Sequence, residues 1–394
     1  MFSAALSRIA PVPRSSRMTK TPRIAVLGAG YTGLTIAHLL ARRTAAEVTL
    51  VNDRAHFVER MRNHQVAAGR KTRRLPLRDL LRGSRVRLVV DRVTRLDTAA
   101  RHVELAGGAD PLGYDLLVYA LGSHADLDAV PGAAEHAHAV AGVDQAERLR
   151  ERLRAAGTVA VVGAGPTGLE TAAELAETHP GHTVQLITAG TLGRELTEPG
   201  RDHLRRVLDR LGVQVWEHTA VAKVDADGVL LEDGRHLAAG AVAWTAGFTV
   251  PALARQAGLA VDEHGRLLVD ATLRSRSHPE VYGIGDAAAA RTREGHVLRM
   301  GCGPGGLAGA CAFHAITARM AGRDPRPLRV EADTLCIGLG AWDGILQHTG
   351  LDGVPHGRPL TGRRVALIKK AVLRTTGRYN PRHPGISVLA ARQG

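Results

Sequence analysis

Six glycines carry the first chemical signal of this chain. Gly28, Gly30 and Gly33 stand in G-x-G-x-x-G spacing, and Gly163, Gly165 and Gly168 repeat it. In such a turn the first glycine takes the tight bend and the second lets a pyrophosphate approach the backbone. The third lets the following helix pack close to the sheet. The phosphates then sit on the helix N-terminus, where backbone N–H groups lack partners. Polar residues accompany these turns in the sequence: Asn52-Asp53 ends the first unit's second strand and Glu170 directly follows the second turn's Leu169, while a further Gly285-Asp286 stands late in the chain.

The elements that must position them repeat as well. A short apolar run at 24–27 reads as a buried parallel strand, followed by an Ala/Leu-rich helix to Ala41 and a second strand at 48–53. The second copy has its strand at 158–162, its second strand at 184–187 and a helix at 201–211. Alternating stretches at 85–96 and 102–105, and again at 213–224 and 229–231, predict small antiparallel meanders. Apolar strands at 114–121 and from 241 onward close the units on Gly122 and Gly247. Strand, glycine turn, helix, strand, meander, strand, twice over, is an internal duplication. Between the copies, 55–69 reads as a loop with a short helix, and 143–155 as an amphipathic helix. Residues 281–289 predict a strand ending in Gly285-Asp286 and running into a helix. A glycine-rich turn and a long Ala-rich helix follow over 301–319, then short strands from about 325 and a basic helix over 363–374.

Composition narrows the function classes. The 394 residues are 44% hydrophobic, with no apolar stretch of the roughly 18 residues a membrane span needs. Lys and Arg number 52 against 38 acids, a formal charge of +14. That balance suits nucleotides, an acidic lipid surface, an acidic redox protein or nucleic acid, and a plain Arg bias explains it equally well. With aromatics at 3% no base-stacking set is visible, so nucleic acid ranks last. Cys302, Cys311 and Cys336 form neither a C-x-x-C nor a C-x-x-x-x-C pair, which fits a reducing, cytoplasmic setting without a disulfide framework. No metal is expected. Residues 1–20 read as a disordered leader, with translation starting at Met1 or Met18; their Arg and Ser without acids also suit a transit peptide.

Two such units plus a late Gly-Asp strand are the plan of the two-dinucleotide-binding-domain flavoproteins, the pyridine nucleotide-disulfide oxidoreductase superfamily. The chain resembles that superfamily from Arg23 to about Ala321. Within it, Gly163-Ala-Gly-Pro-Thr-Gly-Leu-Glu170 and His64-Gln-Val-Ala-Ala-Gly69 resemble the type II NADH dehydrogenases and the relatives of apoptosis-inducing factor. The resemblance implies an α/β fold of two Rossmann-like domains, glutathione-reductase-like, with a small C-terminal α+β region. The FAD domain would take 22–142 and 271–322, the NAD(P)H domain 143–270, and the C-terminal region 323–394. FAD would be held by Gly28, Gly30, Tyr31, Thr32, Gly33, Asn52, Asp53, Gln65, Ala120, Gly122, Gly285, Asp286 and Pro304. Asp286 would bond the ribityl chain, and the helix after Pro304 would aim its positive end at the flavin ring. NADPH or NADH would fall to Gly163, Gly165, Pro166, Thr167, Gly168, Thr188, Arg194 and Gly247.

The departures from that pattern sharpen the expectation. Without a redox cysteine pair, electrons must leave the flavin directly to an acceptor. By the resemblance Glu170 lies beside nicotinamide and flavin, where a buried carboxylate of raised pKa could protonate a reduced acceptor. Equally, it could only serve the helix dipole, as Asp286 could be an ordinary N-cap. The acid expected at the end of the second strand is Asn52, with Asp53 one place on, and in the second unit it is Thr188. No acid stands beside Thr188, and Arg194 follows, which leans toward NADPH or no preference. The glutamines that line the family's quinone pocket are absent around 307–312. The expected activity is FAD-dependent NAD(P)H oxidation with a quinone-like or other small acceptor. The alternative is reduction of an acidic carrier such as a ferredoxin. In 363–374, Val365, Ile368 and Val372 share one helical face opposite Arg363, Lys370 and Arg374, with Lys369 and Leu373 blurring the division. The stripe is expected to pack on the protein's own body or on a twin subunit. Peripheral membrane contact is the other reading.

Overall fold

The computed structural model describes residues 21–377. The leader read over 1–20 with its Met18 start, and the end of the C-terminal region, lie outside these residues. Two five-stranded parallel sheets form the body. The first runs Val281–Gly283, Leu116–Tyr119, Arg23–Leu27, Glu47–Asn52, Arg87–Val90. The second runs Ala137–Ala139, Ala241–Trp244, Thr158–Val162, Thr183–Ile187, Gln214–Trp216. In each, the strand before the glycine turn is central and apolar on both faces, so Val26, Leu27, Val159 and Val161 are fully buried. The helices Tyr31–Arg43 and Pro166–Thr178 follow the turns. The first sheet takes its outer strand, Val281–Gly283, from beyond the second unit, whereas the second sheet is drawn from one continuous stretch.

The duplication is therefore real, but one element of each copy differs from expectation. Arg87–Val90 and Gln214–Trp216 are the outer parallel strands of the main sheets, not parts of the meanders. Each is an edge strand, partly exposed along its length, so it lacks the fully apolar, buried run of a central parallel strand. The meanders begin later, at Val93–Asp97 and Val221–Asp225, and each has three strands. The short helix expected within 55–69 is present as Asn63–Ala67, yet it is not peripheral. Val66, Ala67 and Ala68 are buried in the core of the second unit.

Two later segments also depart from expectation. After Val281–Gly283 comes a single helical turn, Gly285–Ala287, and a short strand, Ala288–Ala289, rather than a helix. The glycines from 303 onward are not a turn. They lie inside the helix Cys302–Met320, because a side chain at Gly309 would collide with Thr32 where the two helices cross. The C-terminal region is a three-stranded antiparallel sheet, Asp333–Gly338, Gly344–Thr349 and Pro355–Thr361, with the helix Arg363–Gly377 on it. Of the expected apolar stripe only Val365 is buried, together with Ala366 and Leu373. Ile368 and Val372 are 39% and 41% exposed, beside Leu367 at 62%. Only the Val365 end of the stripe therefore packs on the chain's own body, against Gly344, and Ile368 and Val372 stay largely outside it.

Candidate functional site

The two glycine turns fold alike for the same steric reasons. Gly28 and Gly163 have φ of +96° and +104°, a region costly for other residues. A side chain on Gly33 would strike the Gly28 carbonyl, and one on Gly168 the Gly163 carbonyl. Gly30 and Gly165 differ from these four. Their φ of −69° is open to any residue, and a Cβ on either would meet no atom within 4 Å. Nothing in the chain demands glycine there, so the requirement must come from a group that approaches the backbone. That is the fit a dinucleotide pyrophosphate needs at a helix N-terminus.

Around the first turn the sequence-predicted residues converge. Ala120 carries the carbonyl that excludes a side chain at Gly28, and Gly122 follows it at φ +69°. Tyr31 stacks edge-on against Phe57 at 4.9 Å. Thr32 lies within contact of Gly285, Gly305 and Gly309, next to Pro304 in the first turn of Cys302–Met320. Asn52 is already engaged: its Oδ1 accepts from the Ala29 N–H (2.8 Å) and its Nδ2 donates to the Arg54 carbonyl (2.9 Å). It braces the turn, and Asp53 beside it is exposed. Asp286 does not cap its own turn. Its Oδ1 accepts from the N–H of Gly301, the N-cap of the long helix (3.0 Å), and its Oδ2 from the Ser123 hydroxyl (2.7 Å). Arg60 donates to the Ser123 carbonyl (2.6 Å), stands 3.8 Å from Asp286 and lies over the Phe248 ring. Arg60 and Ser123 have no sequence signal of their own.

In the second unit Pro166 occupies the first helical turn with Thr167 beside it, and Thr245 braces Gly163 from the closing strand, donating to its carbonyl at 3.0 Å. Gly247 leads into Phe248–Thr249, which pairs antiparallel with His124–Ala125 and ties the two units together. Thr188 begins the loop after the second strand, and Arg194 on that loop is exposed.

Glu170 is the residue on which three parts of the molecule meet. Its Oε1 accepts from the Gly338 N–H (2.9 Å) and from the Lys369 ammonium, which also donates to the Cys336 carbonyl (2.7 Å). Its Oε2 is 3.7 Å from His64 Nδ1, next to Gln65. The expected raised pKa is corrected here. Burial works to raise the Glu170 carboxyl, but Lys369, His64 and the Gly338 N–H together hold it below the usual carboxylate range. Burial pushes the His64 imidazole below its ordinary value, against the pull of Glu170 and Glu174. Burial also opposes the charge on Lys369, but Glu170 outweighs it and holds the ammonium above its ordinary value. Glu170 is thus an ionised partner, and Lys369 carries the proton. Sequence reasoning read Lys369 as a flaw in the helix. The signal was there: it falls between Val365 and Leu373 at four-residue spacing, on the buried face.

Two further carboxylates extend this face of Pro166–Thr178. Glu174, 3% exposed, pairs with Arg70, and Glu177 accepts from the Ala341 N–H. All three cysteines are free, and burial raises the Cys311 thiol to about 12.

Known proteins place this geometry. Residues 22–305 match the model of the pyridine nucleotide-disulphide oxidoreductase family. An NADH dehydrogenase-like protein of Mycobacterium tuberculosis is 35% identical over 311 residues, 71% of this chain and 76% of its own. A type II NADH:quinone oxidoreductase of Staphylococcus epidermidis is 26% identical over 387 residues, 89% of this chain and 94% of its own. Among solved structures, the sulfide:quinone oxidoreductase of Aquifex aeolicus superposes with a TM-score of 0.78 at 17% identity, over 93% of each chain.

Proposed function

The chain belongs to the pyridine nucleotide-disulphide oxidoreductase family and is an NAD(P)H oxidoreductase of the flavoprotein type, and from that premise we propose that it reduces a quinone or similarly small acceptor. The observation that carries this reading is the buried Glu170–Lys369 pair, set where the two glycine units and the C-terminal sheet meet. FAD, when bound, supplies the two-electron exchange between reduced nicotinamide and acceptor. The first glycine turn and the start of Tyr31–Arg43 would hold its pyrophosphate, and Asp53 would take the ribose contact that Asn52 has given up. The second turn would hold the nicotinamide nucleotide. Glu170 fixes the Lys369 ammonium in place, and Lys369 Nζ carries the proton that this cluster would offer to an acceptor gaining protons with its electrons. His64 closes the cluster.

The exposed face of the C-terminal helix suits an acceptor that resides in a bilayer. Leu367, Ile368 and Val372 point outward, Trp342 is 64% exposed, and Lys370 lies 4.3 Å over its ring. Arg363, Arg364 and Arg374 lie on the same helix. Apolar anchors among cations are what an interfacial helix uses, although no helix among the described residues is long and apolar enough to cross a membrane.

Visible spectroscopy with anaerobic titration tests the reading. The protein is expected to purify yellow with FAD, to bleach with NAD(P)H and to regain colour with a soluble quinone. A colourless protein with an empty first site, or a reduced flavin that quinone cannot reoxidise, would overturn it. A rate that collapses with rising salt only when an acidic carrier replaces quinone would favour the carrier instead.

A further inference from the structure

The second unit carries in space the carboxylate that its sequence lacks at Thr188. Strands Thr183–Ile187 and Gln214–Trp216 are parallel, with Ile187 opposite Trp216. Regular pairing ends there, but two bonds carry the strand ends on. Thr188 N–H donates to the Trp216 carbonyl, and Thr219 N–H, rather than that of His218, to the Thr188 carbonyl, both at 2.9 Å. Residues 217 and 218 bulge out between these bonds, with His218 at φ +52°, so Glu217 leaves the backbone beside Thr188. Its side chain is 25% exposed and fixed at both oxygens. Oε1 accepts from the Leu192 N–H at 2.6 Å, and Arg205 donates to both oxygens at 3.3 and 3.1 Å. Burial works to raise this carboxyl, but the Leu192 N–H and the Arg205 guanidinium hold it below the usual range. Glu217 is accordingly anionic at pH 7, bonded to the loop that leaves Thr188. In folds of this plan the ribose of the adenosine is read at that strand end. Arg205 is 45% exposed, so solvent weakens its compensation of the charge.

We propose that Glu217, delivered from the neighbouring strand, does the work of the missing acid at Thr188 and sets a preference for NADH over NADPH. A 2′-phosphate would bring its charge toward a fixed carboxylate, whereas a 2′-hydroxyl brings none. Arg194, exposed on the same loop, pulls the other way and keeps the preference finite. The inference rests on the reading of the second unit as the NAD(P)H site.

Anaerobic stopped-flow reduction of the holoenzyme by NADH and by NADPH tests it, with the reduction rate and Kd measured separately. Wild type is expected to favour NADH. Glu217→Gln keeps an acceptor for the Leu192 N–H and removes only the charge. The NADH:NADPH ratio of rate over Kd should fall about tenfold, mainly through tighter NADPH binding. Arg205→Gln unmasks the carboxylate and should raise the ratio, which keeps the test open if Glu217→Gln folds poorly. An unchanged ratio in Glu217→Gln, or a lower one in Arg205→Gln, overturns the proposal. If neither nucleotide bleaches the wild-type flavin, the parent reading fails and this one falls with it. Bleaching by both with no response to either variant sinks this inference alone.

Discussion

The two glycine units share a backbone plan and part company on one helical face. Aligned on their glycines, Glu170, Glu174 and Glu177 of the second helix fall where the first has Thr35, Leu39 and Arg42. Thr35 turns its hydroxyl back onto the Tyr31 carbonyl at 2.6 Å, and Leu39 is buried in its own unit's core. The three glutamates instead reach outward, to His64 and Arg70 of the first unit and to Gly338, Ala341 and Lys369 of the C-terminal region. Where the copies agree, they share the glycine turn to which a dinucleotide is assigned above. Where they differ, the second copy has become the joint of the molecule and the seat of its buried charge.

The most severe way to test that division is at the middle glycines. Gly30→Val should fold, with circular dichroism unchanged, but purify without FAD. Gly165→Val should keep FAD and lose bleaching by NAD(P)H. Loss of the same ligand in both variants would break the assignment of one dinucleotide to each unit. Next in size is Glu170→Gln, which strands the buried Lys369 ammonium and should cost about 3–5 kcal/mol in denaturant melts. Thr35→Val, at the matching place in the first helix, should cost about 1 kcal/mol or less. Equal losses would erase the contrast between the two faces. The gap should also depend on pH. Glu170 is lowered from 4.5 and Lys369 raised from 10.5. The stabilisation is full between those values and fades as pH falls through the lowered carboxyl or rises through the raised ammonium. A gap that widened in acid would show the pair to be wrongly charged. Arg70→Met, which leaves Glu174 buried without its cation, should cost about 1–3 kcal/mol. Smallest is Leu367→Gln, expected within about 0.5 kcal/mol of wild type on melting while weakening capture by anionic vesicles. Unchanged vesicle binding would remove the bilayer from the account.

What could be read from the sequence was whatever the chain writes locally. Glycine turns, central strands and the duplication each occupy a contiguous stretch, so spacing and apolar runs revealed them. Arg87–Val90 and Gln214–Trp216 were misassigned because a partly exposed edge strand, short and flanked by polar residues, lacks the buried apolar run that marks a central parallel strand. Lys369 and Glu170 lie 199 residues apart, and no local pattern announces such a pair. Glu217 was hidden differently. The acid was sought along the strand, at Thr188, whereas the proposed one stands just past the end of the next strand. Asp286 was legible as a polar group at a strand end, yet its hold on the N–H of Gly301, the N-cap of the long helix 15 positions later, needed coordinates.

The borrowed outer strand of the first sheet sets a timetable for synthesis. Every strand of the second sheet lies between Ala137 and Trp244, so its pairing can close once that stretch has left the ribosome, with Ile337, Leu339 and Ile345 joining its core later. The first sheet, although its central strand emerges earliest, must wait for Val281–Gly283 to pair with Leu116–Tyr119. The sheet begun first is thus the sheet completed last, and its apolar edge along Leu116–Tyr119 stays uncovered in the interval. Nascent chains halted near residue 290, with the second sheet outside the exit tunnel and Val281–Gly283 still within it, should be cut by protease more readily in the first unit than in the second. A flavin taken up by the first unit would then be captured by a chain whose second sheet is already built.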